Sequence, residues 1–302
     1  MQSVHVRMEI IMDLEKWKVI QTILTTGSLT KAGEQIGFSQ SGISHLIKSI
    51  ERDLGFPILI RNKYGVKLTS EGSQLFPLVQ EMIQLNEQFN QIVSSIHGLD
   101  IGTIRIGTFH SISTQWLPKI IYSFQTDYPK IKIQLMEGGM DKLEMWLKDN
   151  YVDLAFLSYK KSRQMDWVSL KEDQLLAVLP YNHPLTRKEY ITTNDIEENE
   201  FIMSSPGFDY DVNLYLKRNN IVPKVKFSSM DDFSVIAMVG NNLGISILPE
   251  LLLKNHNDTI VTKPLNPCAK RILGIALKSY SNTSNAAKKF IEYSQATLAG
   301  LY

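Results

Sequence analysis

Six polar side chains within thirteen residues, Gln40, Ser41, Ser44, His45, Lys48 and Arg52, fall on one side of a helix when wound at 3.6 residues per turn. The other side carries Ile43, Ile47, Ile50 and Leu54 at steps of four, three and four, the pattern of an amphipathic helix with one buried stripe. Amides, hydroxyls and cations gathered this way suit base edges and phosphates in a nucleic-acid groove. Gln40 can donate to and accept from adenine at once, Ser44 can bond a base edge or a phosphate, and Lys48 suits a phosphate. Further along, Arg61, Lys63 and Lys67 surround the turn-rich tetrad Asn62-Lys63-Tyr64-Gly65 and would run beside the backbone of the same duplex. Residues 28–70 hold six Lys or Arg against three Asp or Glu, a local charge of +3 that the whole chain, with 32 against 31, conceals. Residues 73–100 carry three acids and no Lys or Arg.

A second constellation lies between residues 107 and 246. Thr108, His110, Ser111 and Ser113 follow a predicted strand, where hydroxyls and free amides at a helix N-terminus would suit a carboxylate or other anion. Glu137 and Ser158 follow the next strands, Ser204, Ser205 and Phe208 follow a strand further on, and Ile245 and Ser246 would complete the wall. An isolated Ser or Thr is more commonly a helix cap or turn residue, and only Ser111 and Ser204 rise above that use. Catalysis finds little support. His110 adjoins Ser111, but no Gly-x-Ser-x-Gly elbow is present, and neighbours in sequence seldom aim at one another as a triad requires. The six histidines lack the i, i+4 pairing of a zinc helix, Glu137-Gly138-Gly139 lacks the third glycine of a dinucleotide fingerprint, and Cys268 is the single cysteine. No run approaches the roughly 20 apolar residues of a membrane span, and the first dozen residues lack an export signal's apolar core. The expectation is a cytoplasmic protein that is not an enzyme, with no metal, cofactor or membrane partner. Residues 1–11 precede regular patterning and carry no reading.

The elements that must position these residues follow from caps and periods. With 302 residues and 43% apolar content, about two domains are expected. Ser28 caps a helix over 29–36 that Gly37 closes, and Ser39 caps the polar-faced helix, which ends before Gly55 and Pro57: helix, tight turn, helix. Ala32 and Gly33 would let the two helices cross closely, whereas Gly42 weakens the second helix by about 1 kcal/mol relative to alanine. Residues 58–61 and 66–69 form a two-stranded wing. Leu75, Leu78, Met82, Leu85, Phe89, Ile92 and Ile96 then alternate steps of three and four, a coiled-coil seam that predicts a dimerisation helix ending at Gly98, with Pro77 either kinking it or delaying its start. After a hinge at 97–102, strands at 103–106, 131–136 and 153–157 alternate with helices at 114–128 and 141–150 in a βαβαβ unit. Strands at 175–179, 201–203, 224–227 and 245–248 and helices at 212–219 and 231–240 make a second unit. A last strand and helix, 272–277 and 285–298, would return to the first unit, giving two lobes that share one hinge.

The stretch Thr26-Gly27-Ser28-Leu29-Thr30-Lys31-Ala32, then Phe38-Ser39-Gln40, Ile43-Ser44, Ile47, Glu51, Leu54-Gly55, Pro57, Arg61 and Leu68-Thr69-Ser70-Glu71-Gly72 resembles the winged helix-turn-helix of LysR-type transcriptional regulators. The likeness continues more weakly through Ile106-Gly107, Leu117-Pro118, Tyr128-Pro129, Asp153-Leu154-Ala155, His183-Pro184-Leu185 and Gly244-Ile245-Ser246-Ile247-Leu248-Pro249, almost the whole chain from Met12. Gly33 departs from the family's usual second alanine, Ser41-Gly42 from Pro-Ala and Leu59 from phenylalanine. The resemblance implies an α+β multidomain protein: a winged helix-turn-helix over 12–70, a linker helix over 71–100, and a two-lobed α/β effector-binding domain over 101–302 similar to periplasmic binding proteins. Lobe I would take 101–166 and 271–302, and lobe II 167–270. Ser28, Thr30, Lys31 and Ser39 join the DNA-binding candidates through it. Its implied partners are double-stranded promoter DNA, a small-molecule effector in the cleft, RNA polymerase, and copies of itself as a homodimer and homotetramer. The rival expectation is a two-lobed solute-binding protein or enzyme with an accessory helical domain, which leaves Gln40, Ser44 and the wing without a purpose.

Overall fold

Caps and glycines set the first helices where the sequence expects them. A computed structural model describes residues 13–62, 65–96, 101–161, 164–204, 210–254 and 259–300, and the chain divides into two units between Asn90 and Gln91. In the first unit α1 (Leu14–Thr26) starts from Asp13, whose carboxylate accepts from the Glu15 N–H, and ends at Gly27 in the left-handed conformation. Helix α2 (Leu29–Ile36) lies between Ser28 and Gly37, and α3 (Gln40–Leu54) between Ser39 and Gly55. Ile43, Ile47 and Ile50 of α3 are buried along with Trp17, Ile20 and Ile23 of α1 and Ala32 of α2. The turn between α2 and α3 closes tightly on Gly33: a Cβ there would stand 2.5 Å from the Phe38 carbonyl oxygen.

The wing is β1 (Leu59–Asn62) antiparallel to β2 (Gly65–Leu68). It is tied down at both strands. The Glu51 carboxylate at the end of α3 accepts from the Ile58 and Leu59 N–H groups at 2.9 and 3.3 Å, and the Val66 N–H donates to the Gly27 carbonyl at 3.2 Å. Helix α4 (Ser70–Ile96) then runs for 27 residues with Pro77 inside it, so its start is not delayed past the proline. Two apolar stripes share this helix. Phe76, Val79 and Ile83 are buried, while Leu78, Met82, Leu85, Phe89, Ile92 and Ile96 are 43–77% exposed, so the predicted seam faces outward in the single chain. The expected end at Gly98 and the start of the hinge, residues 97–100, lie outside the described residues.

The second unit runs β3 (Gly102–Thr108), α5 (His110–Gln115), α6 (Leu117–Asp127), β4 (Ile131–Glu137), α7 (Met140–Lys148), β5 (Leu154–Ser158) and β6 (Asp166–Pro180). A 3₁₀ turn at Pro184–Arg187 leads to β7 (Ile191–Thr192), α8 (Thr193–Glu198), β8 (Glu200–Ser204), α9 (Tyr210–Arg218), β9 (Lys224–Ser229), α10 (Asp232–Gly240), β10 (Ser246–Pro249), α11 (Glu250–Leu253), β11 (Ile260–Leu277) and α12 (Asn285–Ala299). Strands β4 and β5 pair parallel to β3, and β11 lies antiparallel between β5 and β6, with β10 on the far edge of β6. One apolar core gathers Ile104, Phe124, Leu154 and Phe290. A second gathers Leu179, Phe201 and Ile247, and a third Val178, Val235 and Leu252. Strands β6 and β11 pass from the first core to the other two: Val168 and Leu170 pack on the first, Leu175 and Ala177 in the second.

Three expectations change here. The single helix expected over 114–128 is broken at Trp116 into α5 and α6, because Pro118 fits the first turn of a new helix and not the interior of an old one. Strand β6 begins at Asp166 rather than residue 175: Lys171-Glu172-Asp173-Gln174 looks like a solvated loop, yet each of these except Asp173 lies at the surface or half-buried while pairing with β11. Strand β11 likewise begins at Ile260, not residue 272.

Candidate functional site

On the first unit the polar face of α3 is open. Gln40, Ser41, His45 and Lys48 are exposed, and half-buried Ser44 accepts a hydrogen bond from the Arg61 guanidinium of β1 at 3.5 Å. The wing cation therefore sits against the middle of the helix whose first turn carries Gln40. Ser39 Oγ accepts from the Gly42 N–H at 3.1 Å and pairs with Ser41 Oγ at 3.0 Å; Ser28 Oγ accepts from the Lys31 N–H at 3.4 Å. Both serines are helix caps. Thr30, Lys31 and Lys67 are exposed. Exposed amide, hydroxyl and cation groups on a helix beside a cationic hairpin can hydrogen-bond to base edges and neutralise phosphates.

In the second unit a cleft of about 200 Å³ opens where β6 and β11 cross between cores, lined among others by Phe109, His110, Ser111, Glu137, Asp211 and Arg271. Asp173 and Arg271 are direct partners across the two strands, so their side chains share a face. The Arg271 Nε–H donates to Asp173 Oδ2 at 2.8 Å, and a terminal nitrogen reaches the same oxygen at 2.7 Å and Ser111 Oγ at 3.1 Å. Its other terminal nitrogen lies 3.9 Å from Asp211 Oδ2, and Asp211 also accepts from Ser158 Oγ at 2.5 Å. Asp173 Oδ1 accepts from the Leu251 N–H at 2.9 Å. Arg271 and Asp173 are both 5% exposed in their side chains, which makes this a buried, hydrogen-bonded ion pair.

At the cleft's edge the Glu137 carboxylate takes His110 Nδ1 at 3.0 Å and the Ser113 hydroxyl. Burial pushes the Glu137 carboxyl up, but the hydrogen bonds from His110 and Ser113 and the charge of His110 outweigh it and hold the group below the usual carboxylate range. An ionised carboxylate only accepts, so His110 Nδ1 carries the proton. His110 Nε2 is buried without a hydrogen-bond partner, and the ring meets Phe233 edge-on at 4.8 Å between centroids.

Two family models match the chain: the "bacterial regulatory helix-turn-helix protein, lysR family" over residues 14–73, and the "LysR substrate binding domain" over residues 97–299. The chain belongs to the LysR family. Among its relatives is the uncharacterized HTH-type transcriptional regulator YvbU of Bacillus subtilis (strain 168), 31% identical over 284 residues that span 93% of this chain and 97% of YvbU. The solved structures with the same fold include a full-length OxyR variant from Pseudomonas aeruginosa (TM-score 0.70, 19% identity, 96% and 95% of the two chains). Another is the LysR-family regulator CbnR (TM-score 0.67, 16% identity, 95% and 99%). As a LysR-family protein this chain is a ligand-responsive, DNA-binding transcriptional regulator and not an enzyme, which sets aside the solute-binding or enzymatic rival. Among the described residues no helix is long and apolar enough to cross a membrane.

The sequence-predicted effector residues of this LysR-family chain divide into three groups. His110, Ser111 and Glu137 line the cleft, with Ser113 and Ser158 bonded to its acids. Thr108, Ile245 and Ser246 are not brought there: Thr108 is fully buried and donates to the Phe109 carbonyl, the Ile245 N–H donates to the Glu200 carbonyl, and Ser246 Oγ donates to the Ile202 carbonyl at 2.8 Å. The last two bonds stitch strands to their neighbours, and that of Thr108 stays within its own turn. Ser205 and Phe208, like Lys63 of the wing, lie outside the described residues, as does the side chain of Ser204. The expected anion seat at the start of α5 is also altered. That helix has six residues, and its Ile112 and Ser113 N–H groups both return to the Phe109 carbonyl. Sequence reasoning missed Phe109, Asp173, Asp211, Asp231, Asp232 and Arg271. Only Arg271 left a trace, as the second of two adjacent cations, Lys270 and Arg271, that lead into the apolar run Ile272 to Leu277.

Proposed function

We propose that this LysR-family regulator reads promoter DNA through the exposed face of α3, with Gln40, Ser41, Ser44 and His45 toward base edges and Lys48, Arg61, Lys63 and Lys67 toward phosphates. Thr30 and Lys31 contribute from the start of α2, and Ser28 and Ser39 fix the helices that present these groups. The observation that carries the reading is the Arg61–Ser44 contact, which joins the wing to the recognition helix so that one surface presents base-reading and phosphate-neutralising groups together. The working division is residues 12–70 for DNA, 71–100 for association and 101–302 for the effector, with lobe I over 101–166 and 271–302 and lobe II over 167–270. The exposed stripe from Leu78 to Ile96 supports association through α4 into a homodimer, since six large apolar side chains in one row have no partner surface in the single chain. Two dimers make a tetramer whose half-site spacing changes when effector fills the cleft, and RNA polymerase at the bound promoter is the further partner. Promoter DNA places its work in the cytoplasm.

Nuclease footprinting of the intergenic region beside the chain's own gene tests the reading. Protection over more than one half-site is expected. No protection at low salt refutes it.

A further inference from the structure

We infer that the effector cleft takes a small organic cation bearing N–H donors: a primary ammonium, an amidinium or a guanidinium. The inference rests on the regulator reading for the existence of a ligand in this cleft and goes beyond it in assigning that ligand's charge and hydrogen-bonding sense. Among the described residues its lining holds four carboxylates, Glu137, Asp211, Asp231 and Asp232, against one guanidinium, that of Arg271, a balance that stays negative even with His110 charged. That guanidinium is not available to an anion. Two of its nitrogens are held by Asp173, one of these also by Ser111, and the third faces Asp211.

What the cleft does offer is acceptors. A carboxylate can accept about four hydrogen bonds, and the Glu137 carboxylate, half exposed, uses one from His110 and one from Ser113. Asp231 accepts from the Phe233 and Ser234 N–H groups and the Ser234 hydroxyl; these bonds, with the charge of His110, outweigh its burial and hold it below the usual carboxylate range, as Glu137 is held. Both acids stay charged at neutral pH. The Glu137 carboxylate takes the hydrogen bond from the proton on His110 Nδ1, and His110 Nε2 is buried in the lining without a hydrogen-bond partner. An anion arriving here would meet net negative charge and acceptors; a donor cation finds partners for each of its N–H bonds.

Size and geometry narrow the class. A cleft of about 200 Å³ has room for a short amine or diamine. Among the described residues no three His, Cys, Asp or Glu stand close enough to hold a metal ion, which favours an organic cation over a divalent metal.

The test is calorimetry and thermal shift on the full chain at constant ionic strength, with putrescine and propylammonium as donor cations, tetramethylammonium as a cation without donors, succinate as the anion, and sodium chloride as the screening control. Putrescine or propylammonium is expected to bind and stabilise, with Glu137→Gln and, independently, Asp232→Asn each weakening binding at least tenfold. Tetramethylammonium is expected to bind at least tenfold more weakly than propylammonium. Succinate binding in place of the amines overturns the inference while leaving the regulator reading intact. Amine binding unchanged in both variants, equal binding of tetramethylammonium, or no binding by any probe also overturns it. A mobility shift on promoter DNA without probe checks the underlying reading separately, because its failure would condemn that reading whatever the amines do.

Discussion

Replacing Arg271 by methionine removes one charge from the floor of the cleft while keeping most of the side-chain volume. Asp173, 5% exposed, then loses two guanidinium contacts at 2.7–2.8 Å, and Asp211, 10% exposed, loses a cationic neighbour at 3.9 Å. Removing one partner of a buried pair leaves an uncompensated charge in low dielectric and costs about 3–5 kcal/mol. For a unit of roughly two hundred residues each kcal/mol shifts the midpoint by about 2–4 °C, so a fall of roughly 6–20 °C is expected. Three of the four tryptophans, Trp116, Trp146 and Trp167, lie in the second unit, so intrinsic fluorescence during urea and thermal unfolding reports mainly on it. The double variant R271M/D173N removes both members of the pair, and an asparagine carbonyl can still accept from the Leu251 N–H. It is expected to recover at least half of the loss. A cost below about 1 kcal/mol for R271M, or a double variant as unstable as the two single changes summed, would refute the claim that this pair is desolvated and coupled.

Leu85→Glu together with Phe89→Glu in α4 should convert the associated protein to monomers in analytical ultracentrifugation and shorten its footprint to one half-site at most. Arg61→Ala and Lys67→Ala should each weaken DNA binding across all sequences and lower the slope of log affinity against log salt by about 1, whereas Gln40→Ala should change base preference. Gly42→Ala sets a helix-propensity gain of about 1 kcal/mol against a tight 3.3 Å contact of the added Cβ with the capping Ser39 Oγ, so a net stabilisation well below about 1 kcal/mol is expected in thermal unfolding. Burial pushes the Asp195 carboxyl up, but bonds from Lys188 and from the Thr192 backbone and hydroxyl outweigh it and hold it below its ordinary 3.8. Its contribution is therefore fully present above pH 3.8 and is lost as pH falls through the lower folded value; acid unfolding followed by circular dichroism should be less steep in Asp195→Ala.

The helices that present the candidate DNA-binding face were legible because their determinants are local. Ser28, Gly37, Ser39 and Gly55 act on groups within a few residues, and they fixed α2 and α3 at the expected bounds. The seam of α4 was legible for the same reason, although the adjacent stripe of Phe76, Val79 and Ile83 passed unnoticed: two apolar rows one residue apart look like one broad face until the structure separates the buried row from the exposed one. Proline at 118 signalled a break in the helix before it, a sign that the apolar run obscured.

The cleft follows a different logic. Arg271 lies 98 residues from Asp173 and 160 from Ser111, and neither spacing has any period that a sequence could display. The pairing arises because β6 and β11 are long enough to pass from the first core to the others, and the charged and polar run Lys171-Glu172-Asp173-Gln174 of β6 resembles a surface loop. Thr108 and Ser246 stand apart from the cleft lining for a reason that local reasoning does not see. A hydroxyl at a strand end satisfies a nearby carbonyl as readily as it meets a ligand, and burial decides which. Position along the strands thus predicted where the cleft would be, but not its sign. The hydroxyls after β3 pointed to an anion seat, whereas acids from β4, α9 and the start of α10 line the same cleft, and Asp173 of β6 engages the Arg271 guanidinium. Charge in such a site is a property of several distant segments at once, and the sequence displays each segment only against its own neighbours.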